Sequence, residues 1–269
     1  MTLPESVHQS LRERYNPDGS TLRRAQLRML EMLKFLDRVC RENGIRYWLT
    51  SGTLLGAVRH DGFIPWDDDS DVCMLREDAD AFKRLMLSGR YDGDYVLQCR
   101  ETDDGYFGSW YVLRDTRSEY LQDSPVHQKR RYRGLQVDIF IVDDRTSQLF
   151  VDLTKHFHRS FIQRPLQRIA DREKAIRRVR PAAFLLYRVM DPLFRFLSPR
   201  RKRLALSYGT WFPVDRMDKD LVFPLGSVSF EGFVFICPGR KEDYLEKLYG
   251  DWRLLPEEIQ THDVKTLFK

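Results

Sequence analysis

The chain has little cysteine, no long apolar run and no low-complexity tract, and each absence removes a class of protein. Only four cysteines occur in 269 residues, Cys40, Cys73, Cys99 and Cys237, far apart and without a Cys-x-x-Cys pair. That spacing argues against a zinc ribbon and a secreted disulfide framework, and it predicts a reducing, cytoplasmic setting. No stretch approaches the roughly 20 apolar residues of a membrane span. Residues 1–16 are polar and charged where a signal peptide needs an apolar stretch, so the expectation is a soluble chain, attached at most to the inner face of a membrane. Internal repeats and flexible linkers are missing too. With 42% hydrophobic composition the chain is read as one compact domain, or as a domain carrying a substantial insertion.

Charge is present in both signs and unevenly placed. The formal net charge is +5 and the sequence pI about 9.0, an excess that suits anionic substrates, anionic lipid or nucleic acid without choosing among them. Arginine and lysine crowd into residues 164–203, whereas residues 65–80 are strongly acidic. One region attracts anions and the other cations. No recognisable RNA-binding module accompanies the basic stretch, which argues against a nucleic-acid partner.

Apolar positions at helical spacing from Leu22 to Val39 predict a helix capped by Ser20 or Thr21 and stopped at Asn43-Gly44. Residues 45–49 read as a strand entering the turn Thr50-Ser51-Gly52-Thr53, with a short helix over 54–59. Residues 67–74 read as a loop running into a second strand, and a helix with acidic residues in its first turn follows from Glu77. Strands are expected at 95–99, 110–113 and 118–121, the last two joined by Asp115-Thr116-Arg117, and most strongly at 135–142. Residues from about 147 to 208 look wholly helical and basic. A hairpin over 223–237 turning at Glu231-Gly232 and a helix over 241–248 complete the pattern. This order predicts an α+β fold in which a mixed sheet core is flanked by helices. The division is a catalytic core over 1–145, a basic helical insertion over 146–215, and a hairpin and helix over 216–269 completing the core.

The acidic run carries the chemistry. In an extended segment Asp67, Asp69 and Asp71 share one face while Asp68 and Ser70 point the other way. Two carboxylates at i and i+2 can share a cation, and magnesium takes one or two protein carboxylates while leaving positions for water and substrate phosphates. An exposed acidic loop is the plain alternative for such a run. Two features weigh against it. Asp138 is the one charge in an otherwise apolar strand, where an unpaired carboxylate costs several kcal/mol in practice, of order ~3. Ser51-Gly52-Thr53 follows a strand and opens a helix, where glycine allows close approach and helix amides receive phosphate. A strand, a Ser-Gly turn, a helix, an Asp-x-Asp strand and a later strand with one Asp form the order of nucleotidyltransferase-fold enzymes.

Residues 51–60, Ser-Gly-Thr-Leu-Leu-Gly-Ala-Val-Arg-His, and 62–71, Gly-Phe-Ile-Pro-Trp-Asp-Asp-Asp-Ser-Asp, closely resemble the signature of the LicD family. The resemblance extends to Val137-Asp138-Ile139-Phe140, to Phe230-Glu231-Gly232 with Pro238, and to Tyr249-Gly250-Asp251-Trp252 with Leu255-Pro256; the basic helical stretch has no clear counterpart. It implies a nucleotidyltransferase-like fold and Mg2+- or Mn2+-dependent transfer of a phosphorylated alcohol, typically phosphocholine from CDP-choline, to a glycan or glycolipid acceptor. Fukutin-like ribitol-phosphate transferases and fungal mannosyl-phosphate proteins are similar around the same motif, so a sugar or polyol phosphate is the alternative cargo. By matching positions, Asp69 and Asp71 are metal ligands, Asp138 the third carboxylate, and Gly52 with Thr53 the phosphate-side turn. The chain departs from the pattern at Ser70, where the family carries an aliphatic residue. It also departs at Arg114, where lysine is common and arginine presents a bidentate fork instead.

The remaining candidates carry two readings each. Arg59 and His60 are grouped with Ser51, Gly52, Thr53 and Arg114 as phosphate or acceptor contacts, against a plain helix C-terminus. Trp48 and Trp66 offer cation–π contact to a quaternary ammonium, against packing. His262 either approaches the site or is a surface histidine. The stretch 184–203 is amphipathic and basic, and reads either as a membrane-surface helix kinked at Pro192 or as packing on the core.

Overall fold

The computed structural model describes residues 4–210, 216–256, 258–259 and 266–268. Helices α1 (Glu5–Tyr15) and α2 (Thr21–Glu42) precede strand β1 (Trp48–Leu49), helix α3 (Ser51–His60), strand β2 (Asp71–Leu75) and helix α4 (Arg76–Leu87). Strands β3 (Tyr95–Gln98), β4 (Tyr111–Asp115) and β5 (Ser118–Tyr120) follow, then helix α5 (Pro125–Gln128) and strand β6 (Gln136–Asp143). Next come helices α6 (Gln148–His158), α7 (Arg164–Arg168), α8 (Arg172–Phe184) and α9 (Asp191–Leu197), with π-helical turns at Arg159–Gln163 and Leu185–Met190. The remaining elements are β7 (Arg203–Leu206), β8 (Met217–Asp218), α10 (Lys219–Val222), β9 (Gly226–Phe230), β10 (Phe233–Cys237), α11 (Lys241–Tyr249) and β11 (Thr266–Phe268).

Helix α2 starts where the Ser20 hydroxyl accepts from the Arg23 amide at 3.1 Å, and it buries Ala25, Met29, Met32, Leu33, Leu36 and Val39 against the sheet. The main sheet runs β1-β2-β6-β4-β3, with β2 and β6 parallel and the other pairs antiparallel. Helices α2 and α4 cover one face, which makes the fold α+β with a mixed sheet flanked by helices. Alternation along β6 divides its side chains: Val137, Ile139 and Ile141 are buried, while Gln136, Asp138 and Phe140 are half-buried on the opposite face. Among the described residues no helix is long and apolar enough to cross a membrane, and all four cysteines are free and buried.

Four expectations need correction. The first strand is shorter than 45–49, because the Arg46 amide is taken by the Asp78 carboxylate at 3.1 Å instead of a strand partner. Helix α3 begins at Ser51, not Leu54, since the Thr50 carbonyl already accepts the Leu54 amide. Strand β5 does not return along β4, whose two edges are filled by β3 and β6, and pairs with β11 instead. The basic stretch is not helical throughout: β7 joins the edge of β6 at Val142 and Asp143, beyond the point where β4 stops at Ile139. Helices α7 and α8 share a small apolar core of their own, from Ile162 to Leu186, separate from the main core. The main core takes in Leu204, Phe230, Phe235, Tyr244 and Trp252 from the C-terminal elements. His262 lies outside the described residues.

A polar network on α2 fixes the loop that leads to the acidic run. Buried Gln26 donates to the carbonyls of Ile64 at 3.2 Å and Asp67 at 2.9 Å, and itself accepts from Asn16 at 2.7 Å. Arg23 pairs with Glu231, Nη2 to Oε2 at 2.6 Å, and Glu231 also accepts from the Phe63 amide at 3.2 Å. Glu231 sits with Gly232 in the β9–β10 turn, both at positive φ (52° and 77°), so the turn geometry aims the carboxylate back at α2. Burial works to raise the Glu231 pKa, but the Arg23 hydrogen bond and charge prevail and hold it below the usual range. Removing one partner by Arg23→Met should therefore cost about 3 kcal/mol, measured by urea denaturation. A depressed carboxylate stabilises fully above its unfolded value, near ~4.3, and the contribution is lost as pH falls through the folded value. The deficit of Glu231→Gln should accordingly be larger at neutral pH than in acid; an equal deficit at both would refute this role.

Candidate active site

The carboxylates gather where α3 begins and β2 leaves its loop. Asp71 opens β2 and is paired in register with Asp138 on parallel β6, so both project from the same face. Asp67, Asp68 and Asp69 precede β2, and their ligand oxygens all lie within 4.8 Å of one another. The closest grouping is thus this run, with Asp71 and Asp138 beside it. Asp68 does not turn away as strand alternation suggests, because residues 67–70 are not in strand. Ser70 does face the core, fully buried with its hydroxyl against Met29 Sδ at 4.0 Å.

The Ser51-Gly52-Thr53 turn organises these acids. The Ser51 side chain hydrogen-bonds the Asp71 carboxylate, and the Thr53 hydroxyl accepts from the Asp71 amide at 2.8 Å. Gly52 is required by close approach: a Cβ there would lie 2.6 Å from Asp67 Oδ2. The helix N-terminus expected to face phosphate is therefore covered at Gly52 by a carboxylate of the protein itself.

Other side chains hold the remaining acids. Trp110 Nε1 donates to Asp138 Oδ1 and Gln136 Nε2 to Asp138 Oδ2, each at 3.1 Å, and the Tyr120 hydroxyl donates to Asp68. Burial, then the neighbouring Asp69 charge, pushes Asp67 and Asp71 well above the ordinary carboxylate range. Asp138 is also raised by burial, against the opposing pull of Arg114. Tyr249, at the end of α11, is raised by burial and by the charges of Asp71, Asp67 and Asp69, which places it at the same cluster. Trp110, Gln136, Tyr120 and Gln26 were not signalled by the sequence. Asp67 was, through its shared parity with Asp69 and Asp71, and Tyr249 through its place in the Tyr249-Gly250-Asp251-Trp252 resemblance.

Three residues grouped with substrate contacts are placed otherwise. Arg59 is buried and donates to the carbonyls of Trp252 and Leu254, each at 3.0 Å, and to His60 Nε2 at 3.0 Å, tying α3 to the Tyr-Gly-Asp-Trp segment. His60 is buried with it, its pKa lowered to about 3 by burial and by Arg59. Arg114 is 0% exposed and donates to Gln98 and to the Gly134 carbonyl, both at 2.8 Å. Burial, then the charge of Arg130, lowers its pKa to about 9 while the Asp138 charge raises it, so Arg114 is a buried counter-charge to Asp138. Of the two tryptophans, Trp48 is in the core against Phe223, and half-buried Trp66 packs between Tyr15 and His60.

Beside Ser51, on the face that carries Asp71 and Asp138, a cleft of about 210 Å³ is lined by Thr50, Cys73, Phe140, Val142, Tyr244 and Leu248. A larger cavity of about 440 Å³ opens at the far ends of β2 and β6, but its Arg76, Arg195 and Lys219 are committed to Asp143, Asp191 and Asp144. The smaller cleft is the one that adjoins the chemistry. An all-oxygen, carboxylate-rich donor set with its acids pushed toward protonation by burial and mutual repulsion fits a hard divalent cation such as Mg2+ or Mn2+.

Comparison with known proteins bears on this geometry. Residues 44–174, which hold all five aspartates, match the LicD/FKTN/FKRP nucleotidyltransferase domain. The chain is 28% identical over 253 residues to the lipopolysaccharide cholinephosphotransferase LicD of Haemophilus influenzae, covering 88% of this chain and 93% of that protein. An uncharacterized protein of Rickettsia prowazekii is 28% identical over 141 residues, 46% of this chain and 53% of its own. Human ribitol 5-phosphate transferase FKRP is 42% identical over 55 residues, 20% of this chain and 11% of that protein. With the domain match spanning the carboxylate site and the first of these relatives aligned along most of both chains, the protein carries a nucleotidyltransferase domain of the LicD family.

Proposed function

We propose that the chain is a metal-dependent transferase that moves a phosphorylated alcohol, phosphocholine from CDP-choline, to a hydroxyl of a cell-surface glycan or glycolipid precursor such as lipopolysaccharide or teichoic acid. The observation that carries this reading is the register pairing of Asp71 with Asp138 beside the Asp67–Asp69 cluster at the start of α3. Asp69, Asp71 and Asp138 are the assigned ligands. The two hydrogen bonds to Asp138 leave each of its oxygens a further lone pair, for ligation or for the acceptor's proton. A divalent cation, when bound, supplies neutralisation of the charge that builds on the transferring phosphoryl group. In the reaction the acceptor oxygen bonds to the distal phosphorus, the bond from that phosphorus to the bridging oxygen breaks, and CMP departs. The hydroxyl proton passes to a carboxylate. Free, buried cysteines suit a cytoplasmic location for this chemistry.

A second reading is favoured by one observation. The relatives' names cover two different alcohol phosphates, phosphocholine and ribitol 5-phosphate, so a polyol or sugar phosphate is the alternative cargo on the same carboxylates.

Calorimetry with CDP-choline and CDP-ribitol in the presence of magnesium is the direct test. Selective binding of CDP-choline that disappears in Asp69→Ala with Asp71→Ala supports the proposal; selective CDP-ribitol binding moves the assignment to the polyol, and failure to bind either removes both donors. Asp138→Ala should abolish transfer, by at least about a hundredfold, with the fold intact by circular dichroism. Gly52→Ala tests the turn separately: its Cβ displaces the Asp67 carboxylate, so transfer should fall at least tenfold while thermal stability changes little, and full activity would mean that Asp67 is not needed where it stands.

A further inference from the structure

Nine of the seventeen large apolar side chains exposed among the described residues lie between Leu149 and Leu197, a concentration that a solvated insertion does not need. They fall into two stripes at helical spacing, Leu149 and Leu153 on α6, and Leu185, Val189, Leu193 and Phe196 along the π-helical turn into α9. The two helices are neighbours, joined by the stack of Phe150 on Phe194 with ring centroids 4.1 Å apart. Leu149 is 70% exposed and Phe196 79%.

Helix α9 is amphipathic in the reverse of the usual sense. A globular surface helix buries its apolar stripe and exposes its charge. Here no residue of α9 is fully buried; Phe194 alone packs inward, on Phe150 and Tyr208, and the ties to β6 and α4 are ionic, Arg195 to Asp143 at 2.6 Å and Asp191 to Arg76 at 3.3 Å. The charges and Phe194 hold the helix down, and Leu193, Phe196 and Leu197 are turned out. Around them the charge is one-sided, with fifteen basic and four acidic residues from 146 to 203. The whole chain holds 45 and 40, so the rest of it holds 30 and 36 and is net acidic.

An exposed aliphatic and aromatic face on a segment this rich in exposed arginine matches an anionic bilayer surface, where side chains enter the acyl boundary and cations meet lipid phosphates. Nucleic acid would reward the arginines but not leucine and valine at the crest. We propose that the exposed stripes of α6 and of the 185–197 helix seat the protein on the surface of an anionic membrane. The inference is independent of which donor or acceptor the carboxylate site takes.

Flotation of the full chain with vesicles of phosphatidylglycerol and phosphatidylcholine tests it, against vesicles of phosphatidylcholine alone. The protein should rise with the anionic vesicles, rise much less with the neutral ones, and be released by salt. Leu193→Ser with Phe196→Ser should weaken partitioning at least tenfold. Arg200→Glu with Lys202→Glu should weaken it by about fivefold or more for each charge removed. All four side chains are exposed, so circular dichroism and thermal midpoint should match the wild type. Wild-type protein that stays behind with anionic vesicles, or variants that float as it does, would overturn the proposal. So would a soluble dimer that the Leu193→Ser, Phe196→Ser variant dissociates, since the face would then belong to a second copy.

Discussion

Five carboxylates share one region of this protein, and their mutual repulsion is the constraint around which the rest is arranged. Left to itself an acidic run of this kind would splay into water. Here it is held by donors drawn from separate parts of the chain: Ser51 and Thr53 from the start of α3, Tyr120 from β5, Trp110 from the residue before β4, and Gln136 from β6. None of these donors is a cation. Among the described residues Arg114 and Arg130 act on Asp138 through their charge, and Arg114 is buried and donates to Gln98 and the Gly134 carbonyl. Burial and the charge of Asp69 keep Asp67 and Asp71 raised. A cluster of carboxylates kept protonation-prone in this way has the donor chemistry that the proposed divalent cation requires.

Holding the acids also needs a rigid floor, and the sheet and α2 supply it. Parallel pairing of β2 with β6 sets Asp71 opposite Asp138, while the other face of β6 locks into the core through Val137, Ile139 and Ile141. A one-residue slip of either strand would send its aspartate into that core, so burial of the apolar face fixes the spacing of the acids. The loop from α3 to β2 is positioned by buried polar groups on α2, where Gln26 takes two of its carbonyls. Arg23 extends the same network to the β9–β10 turn, and Arg59 ties the end of α3 to the segment after α11. The C-terminal hairpin and helix are thus joined to the site through polar contacts, and Tyr249 arrives at the carboxylates on the end of α11.

Much of this was legible in the sequence, and the boundary of legibility has a physical reason. Period 3.6 in 22–39 and near-continuous apolarity in 135–142 gave α2 and β6, and the Glu231-Gly232 turn fell where positive φ at both residues is needed. The parity of Asp67, Asp69 and Asp71, with the isolated Asp138, pointed to one cluster. What stayed hidden depends on long-range partners. A glutamine on an amphipathic helix reads as a surface residue until the loop carbonyls it serves are in place. Arg59, His60 and Arg114 stand in or opposite the motif segments of the chain, so they read as ligand contacts; in three dimensions Arg59 donates to His60 and to two backbone carbonyls, and Arg114 donates to Gln98 and the Gly134 carbonyl. Strand β7 was missed because its existence depends on the edge of β6 that β4 leaves open.

The same reasoning separates two uses of arginine. In the core, Arg23, Arg59 and Arg114 are fixed by hydrogen bonds to specific acceptors, and each holds one element against another. In the helices after β6 most arginines lie on the outside, and Arg76 and Arg195 serve to pin α9 by its polar side. Pinning a helix by charge costs desolvation of the pair and gives no apolar burial in return, so it is an inefficient way to stabilise a surface helix. It does fix which side of the helix faces out. The ion pairs of Asp191 and Arg195 thus leave Leu193 and Phe196 facing solvent, the side on which the proposed membrane seat depends.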